Sequence, residues 1–93
     1  MHPYSKELIF IKLPPEHIVT IKFLMESYEG LGIIRTLSAE RGRLVIIAPQ
    51  DSMQTLHELL TSLRHDLSLE IMDTIPSEAQ VDWLVKEYLE PFP

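Results

Sequence analysis

Two short stretches of this chain are apolar at every position rather than at every other one. They are Leu8-Ile9-Phe10-Ile11, continued by Leu13, and Leu44-Val45-Ile46-Ile47-Ala48. Both are short and rich in β-branched or aromatic residues, so they read as strands. In a strand, successive side chains point to opposite faces of the sheet. Leu8 and Phe10 therefore oppose Ile9, Ile11 and Leu13, while Val45 and Ile47 oppose Leu44, Ile46 and Ala48. An antiparallel sheet with one face in water alternates apolar and polar positions. These two strands do not alternate, so any sheet built on them must be covered on both sides.

The rest of the chain supplies material for the covering. The strand over Glu7 to Leu13 stops at Pro14-Pro15, and Pro15 suits a first helical turn, where its missing N–H is not needed. From Glu16 to Glu29, Ile18, Ile21, Leu24, Met25 and Tyr28 recur at helical spacing, and Gly30 is placed as a left-handed cap. Leu31 to Leu37 reads as a strand, Ser38 to Gly42 as a hairpin loop, and Arg43 to Ala48 as the next strand. Asp51 or Ser52 is placed to cap a helix carrying Met53, Leu56, Leu59, Leu60 and Leu63 to about Asp66. Leu67, Leu69 and Ile71 alternate with Ser68 and Glu70, predicting a half-buried strand. Ser77-Glu78-Ala79-Gln80 has the form of a capping box, and Val81, Leu84, Val85 and Tyr88 predict a docked helix to Glu90. Trp83 falls off that face.

The order is β-α-β-β-α-β-α. Its first six elements are those of the ferredoxin-like, or split βαβ, arrangement. Right-handed crossovers place both helices on one face of a four-stranded antiparallel sheet. The expected fold is thus α+β: a ferredoxin-like core over residues 1–75 and a C-terminal helix and tail over 76–93, packed on the core or on a partner. The second sheet face is covered by that helix, by a partner subunit, or by both. At 93 residues the chain has the length of one domain.

Charge and cysteine usage narrow the function. The net charge is −6, from eight basic and fourteen acidic residues, with no basic run. Nucleic-acid binding draws much of its affinity from Lys and Arg on phosphates, and anionic membrane surfaces attract basic segments. Neither partner is expected, and the apolar run near the N-terminus is too short to span a bilayer. The absence of Cys excludes a disulfide framework, a thiolate zinc site and a Cys nucleophile, and it fits a cytoplasmic location.

Residues that carry chemistry are few. His2, His17, His57 and His65 form no close pair. His57 and His65 are separated by about 12 Å of helical rise, too far for one metal. The carboxylates read as solvated charge, and no Ser stands in a nucleophile-elbow context. No catalytic residue, metal or cofactor is assigned. Gly30, Gly32 and Arg35 are the ligand-binding candidates, because a glycine gap beside a guanidinium suits a small anionic ligand. The alternative is that Gly32 relieves crowding at the strand entry and Arg35 guards an edge strand. Val19 and Phe23, four apart and off the core face, join Trp83 as candidates for a partner interface, which predicts a homo-oligomer, a dimer in the simplest case.

The stretch from Ile21 to Gly32, with Arg35-Thr36-Leu37 and the later Gly42, resembles an uncharacterised bacterial family, domain of unknown function 4911. The shared pattern is an aromatic-rich helix ending in Tyr28-Glu29-Gly30, a Thr-Leu strand end, a polar loop with Gly, and an apolar strand closed by Pro49. The resemblance reaches to about Asp66 and implies no activity. More distantly, the element order is similar to that of ACT-type regulatory domains, which bind amino acids or other small ligands at subunit interfaces. Here the turn is Leu13-Pro14-Pro15-Glu16, without the Asp and Gly of their ligand loop.

The expected function is a non-catalytic regulatory module that binds a small ligand or a protein as an oligomer. A scaffolding protein without a ligand is the first alternative, and a small enzyme with its site across a dimer interface is the second.

Overall fold

A computed structural model describes residues 6–28 and 30–89. Seven elements follow in order: β1 (Lys6–Lys12), α1 (Ile18–Glu26), β2 (Ile33–Ser38), β3 (Arg43–Pro49), α2 (Met53–Leu67), β4 (Glu70–Ile71) and α3 (Trp83–Leu89). The strands form one four-stranded sheet in the order β2-β3-β1-β4, and every pairing is antiparallel. This α+β architecture is compatible with a ferredoxin-like arrangement, as the element order predicts.

The apolar strands divide as their alternation requires. Ile9, Ile11 and Leu13 of the β1 segment join Leu44, Ile46 and Ala48 of β3 in one buried cluster. Ile21 and Met25 of α1 and Leu56, Leu60 and Leu67 of α2 close it from above. On the other face Phe10, Val45 and Ile47 form a second cluster with Ala79 and Val85. The segment after β4 therefore lies across the far face of the sheet, and the fold has three layers. Val85 is fully buried there, and its burial contributes about 1.5–3 kcal/mol.

The C-terminal segment is not the single helix that its spacing predicts. Ser77–Val81 is a 3₁₀ turn without a side-chain cap, so the capping box does not form. Asp82 is extended (φ −85°, ψ 117°), and α3 starts after it. The break changes the docking face. Val81, expected inside, is 85% exposed, whereas Ala79 is buried. Leu84 is partly buried against the cluster. The Tyr88 side chain, expected on the docked face, and the helix end at Glu90 lie outside what the structure describes.

Two helix boundaries also differ from the spacing. Pro15–His17 is a 3₁₀ turn, α1 ends at Glu26, and Tyr28 is 47% exposed. Gly30 does have positive φ (80°), but it follows the Ser27 cap by three residues. The second helix runs on through Leu67 and is closed by Ser68 in the left-handed region (φ 50°, ψ 41°). That extension leaves β4 only two residues long.

The β2–β3 hairpin is tightly specified. Thr36 pairs with Leu44 and Ser38 with Arg43, so Leu37 is an extra residue on β2 and forms a bulge. The Ser38 hydroxyl accepts a hydrogen bond from the Arg41 amide at 3.1 Å. Gly42 has φ +67°, and a Cβ there would overlap the Leu13 carbonyl oxygen. Only glycine lets the hairpin end lie this close to β1.

Candidate functional site

The three ligand-binding candidates meet three different partners. Gly32 has φ +138°, and a Cβ on it would lie 2.6 Å from the Ile47 carbonyl oxygen. The backbone that approaches Gly32 is therefore that of β3. The Gly30 carbonyl accepts a hydrogen bond from the Ser52 hydroxyl at 3.0 Å, at the entry to α2. Asp51 and Ser52, expected as caps, instead belong to a 3₁₀ turn that makes no side-chain cap.

Arg35 does bind a carboxylate, and the carboxylate is the chain's own. Its Nε donates to both oxygens of Asp82, at 2.9 and 2.8 Å. Its guanidinium carbon stands 5.5 Å from the centre of the Trp83 ring, within cation–π range. Asp82 Oδ1 also accepts from the amides of Leu84 and Val85, both at 3.1 Å, and so caps α3. Burial opposes ionisation of Asp82. The hydrogen bond and charge of Arg35, with the two amides, outweigh it and hold the carboxyl below its ordinary value.

A second ionic contact lies beside the first. Glu78 accepts from Arg43 at 3.0 Å and from Arg41 at 3.5 Å. Its own backbone amide is the largest influence on it. Some burial acts against ionisation, while Arg43 and Arg41 add to the amide, and the net shift is downward. Three arginines of the β2–β3 hairpin thus hold the C-terminal segment on the far face.

The partner-interface candidates are all on the surface. Val19 is 77%, Phe23 67% and Trp83 67% exposed, and Ile33 joins them at 62%. Val19 and Phe23 lie on α1, over the near face of the sheet, and Trp83 lies at the far face over Arg35.

An open groove of about 580 Å³ runs beside β1 where β4 ends. Leu8, Phe10, Met53 and Met72 give it apolar walls, with His57 and Asp73 also on its lining. The Leu13 amide bonds to Gly42 on the β3 side, and the Phe10 carbonyl accepts from Met72 on the β4 side. By alternation, the amide and carbonyl of Leu8 point to the β4 side. The ladder there ends at Ile11–Ile71 and Met72, so no described residue pairs with them. Among the described residues, no three His, Asp or Glu side chains converge to hold a metal ion. No described helix is long and apolar enough to cross a membrane.

The model of one protein family matches residues 11–66, from within β1 to the last turn of α2. The chain belongs to the DUF4911 family. That family is described as a domain of unknown function, so the match fixes kinship without assigning an activity. No curated protein and no solved structure gives a significant match to the chain. The DUF4911 match contains Gly30, Gly32, Arg35 and the hairpin arginines. It stops before Glu78 and Asp82, the acidic residues that answer them.

Proposed function

We propose that this chain is a non-catalytic regulatory module that acts as an oligomer and takes a ligand in the groove beside β1. The ligand is a small molecule or an extended segment of a protein partner. The observation that carries the reading is the groove itself: apolar walls around the main-chain groups of Leu8, which no described residue pairs. Ligand sites commonly combine an apolar lining with a few polar groups that fix orientation. An amide or carboxylate on the ligand would complete the interrupted ladder, as an added strand does in peptide recognition.

The non-catalytic part of the reading rests on where the charged groups are engaged. The two carboxylates with lowered pKa both face arginines that pin the C-terminal segment, a structural use. Arg35 takes an external anion only if Asp82 leaves it, so the groove is the better candidate than Gly32 and Arg35. The oligomeric part rests on Val19, Phe23, Ile33 and Trp83, four large apolar side chains each exposed to 62% or more.

Native mass spectrometry of the protein purified from its source tests the reading. The expected species is an oligomer with a retained small molecule or peptide, and Met53→Arg should release that ligand. A bare monomer at the mass of the chain alone would contradict it.

A further inference from the structure

The sheet has two edges, and they are unequal. On one side β4 supplies only two residues. On the other, β2 runs for six residues, and no described strand pairs with its outer edge. The register shows which groups face outward. Ile9 and Ile11 bond toward β3, so Leu44 and Ile46 bond back toward β1, and Val45 and Ile47 bond toward β2. Their partners Arg35 and Ile33 therefore point their main-chain groups inward. The amides and carbonyls of Ile34 and Thr36 point out.

We propose that the outer edge of β2 is the self-association surface of this chain, pairing antiparallel with β2 of a second copy. The proposal rests on the oligomeric reading above and names its interface. In a two-fold pairing centred on Arg35, Ile34 of each copy faces Thr36 of the other. Both outward-facing residues are then used, and four main-chain hydrogen bonds close a continuous eight-stranded sheet. Three features favour a second copy as the occupant. An open antiparallel edge is complementary to itself under a two-fold axis. Arg35 is the sole charge on β2, and its own Asp82 neutralises it in each copy, so the usual charged guard of an edge strand is cancelled. Ile33, 62% exposed, falls opposite Leu37 of the second copy on the far face, and exposed Trp83 stands over Arg35 at the same edge.

Thr36→Pro tests the interface cleanly. It removes an outward N–H and leaves the β2–β3 ladder its donors, and proline is tolerated at such edges. Sedimentation velocity should show association of the native chain, weakened about thirty-fold or more in Thr36→Pro through the loss of two symmetry-related bonds. Ile33→Glu, at an exposed position, should weaken association as well and decides the matter if Thr36→Pro does not fold. In the associated native protein, hydrogen exchange should protect the Ile34 and Thr36 amides in proportion to concentration. Association unchanged in both variants, or unprotected amides in the oligomer, overturns the β2 interface while leaving the oligomeric reading intact. A native chain that stays monomeric at high micromolar concentration removes both. Protection that appears only with a different bound protein overturns the second copy as occupant.

Discussion

Asp82 accepts both hydrogen bonds that Arg35 Nε makes, across 47 residues of sequence, and with the same carboxylate caps the first turn of α3. One side chain thus sets where the C-terminal helix begins and ties it to the edge strand. Asp82→Ala removes the cap and the ion pair together and leaves the Arg35 charge without its partner. It should cost about 1–3 kcal/mol, where loss of a cap alone costs about 0.5–2 kcal/mol. Asp82→Asn keeps the cap oxygen and should cost less. Urea unfolding of the two variants measures the difference, and equal midpoints would show that the cap contributes nothing.

Acid should loosen this layer. Asp82 and Glu78 both have folded pKa values below their ordinary ones of 3.8 and 4.5. The unfolded chain therefore binds their protons more readily than the folded chain does. The stability they contribute is complete above those ordinary values and is lost as pH falls through the lowered ones. Melting temperature should drop on acidification below about pH 4.5. The Glu78→Gln, Asp82→Asn double variant should show a flatter profile over the same range. An identical acid slope in both proteins would place the pH dependence elsewhere.

Much of this fold is legible in the sequence because its signals are local. The two-faced apolar strands Leu8–Leu13 and Leu44–Ala48 dictate that a third layer exists, and Leu84 and Val85 indicate which segment supplies it. The Arg35–Asp82 and Arg43–Glu78 pairs are not legible, since no local spacing links residues 47 and 35 positions apart. The capping-box pattern at Ser77 to Gln80 misleads because Asp82, five residues on, offers a better-supported cap. The groove is equally hidden, because it forms where the chain leaves the edge of β1 after Met72 while β1 itself runs on to Lys6.

Glycine substitutions should separate crowding from backbone conformation. Gly30→Ala meets no atom within 4 Å and has only its positive φ to accommodate, which costs about 1–2 kcal/mol. Gly32→Ala adds a collision with the Ile47 carbonyl at the β2–β3 pairing. It should cost clearly more, about 2–4 kcal/mol. Thermal unfolding of the two variants in parallel checks the order, and an equal loss would show that the strand entry relaxes freely.

Ser68 offers a stabilising change. It closes α2 in the left-handed region without being glycine. Ser68→Gly removes that steric cost of about 1–2 kcal/mol but gives the unfolded chain more freedom. The net expectation is a gain of about 0.5–1 kcal/mol, read as a higher urea midpoint with an unchanged slope. A lower midpoint would show that Ser68 makes a contact worth more than its strain.

The C-terminal segment is the third layer of this fold, held on the far face by Ala79, Val85 and the hairpin arginines. Truncation after Ile75 tests it most directly, with stability and dye-detected apolar surface measured on the same sample. The truncated chain should expose Phe10, Val45 and Ile47, bind a hydrophobic dye, melt at a markedly lower temperature and aggregate. A truncated chain with the melting temperature, solubility and oligomeric state of the full chain would contradict the claim.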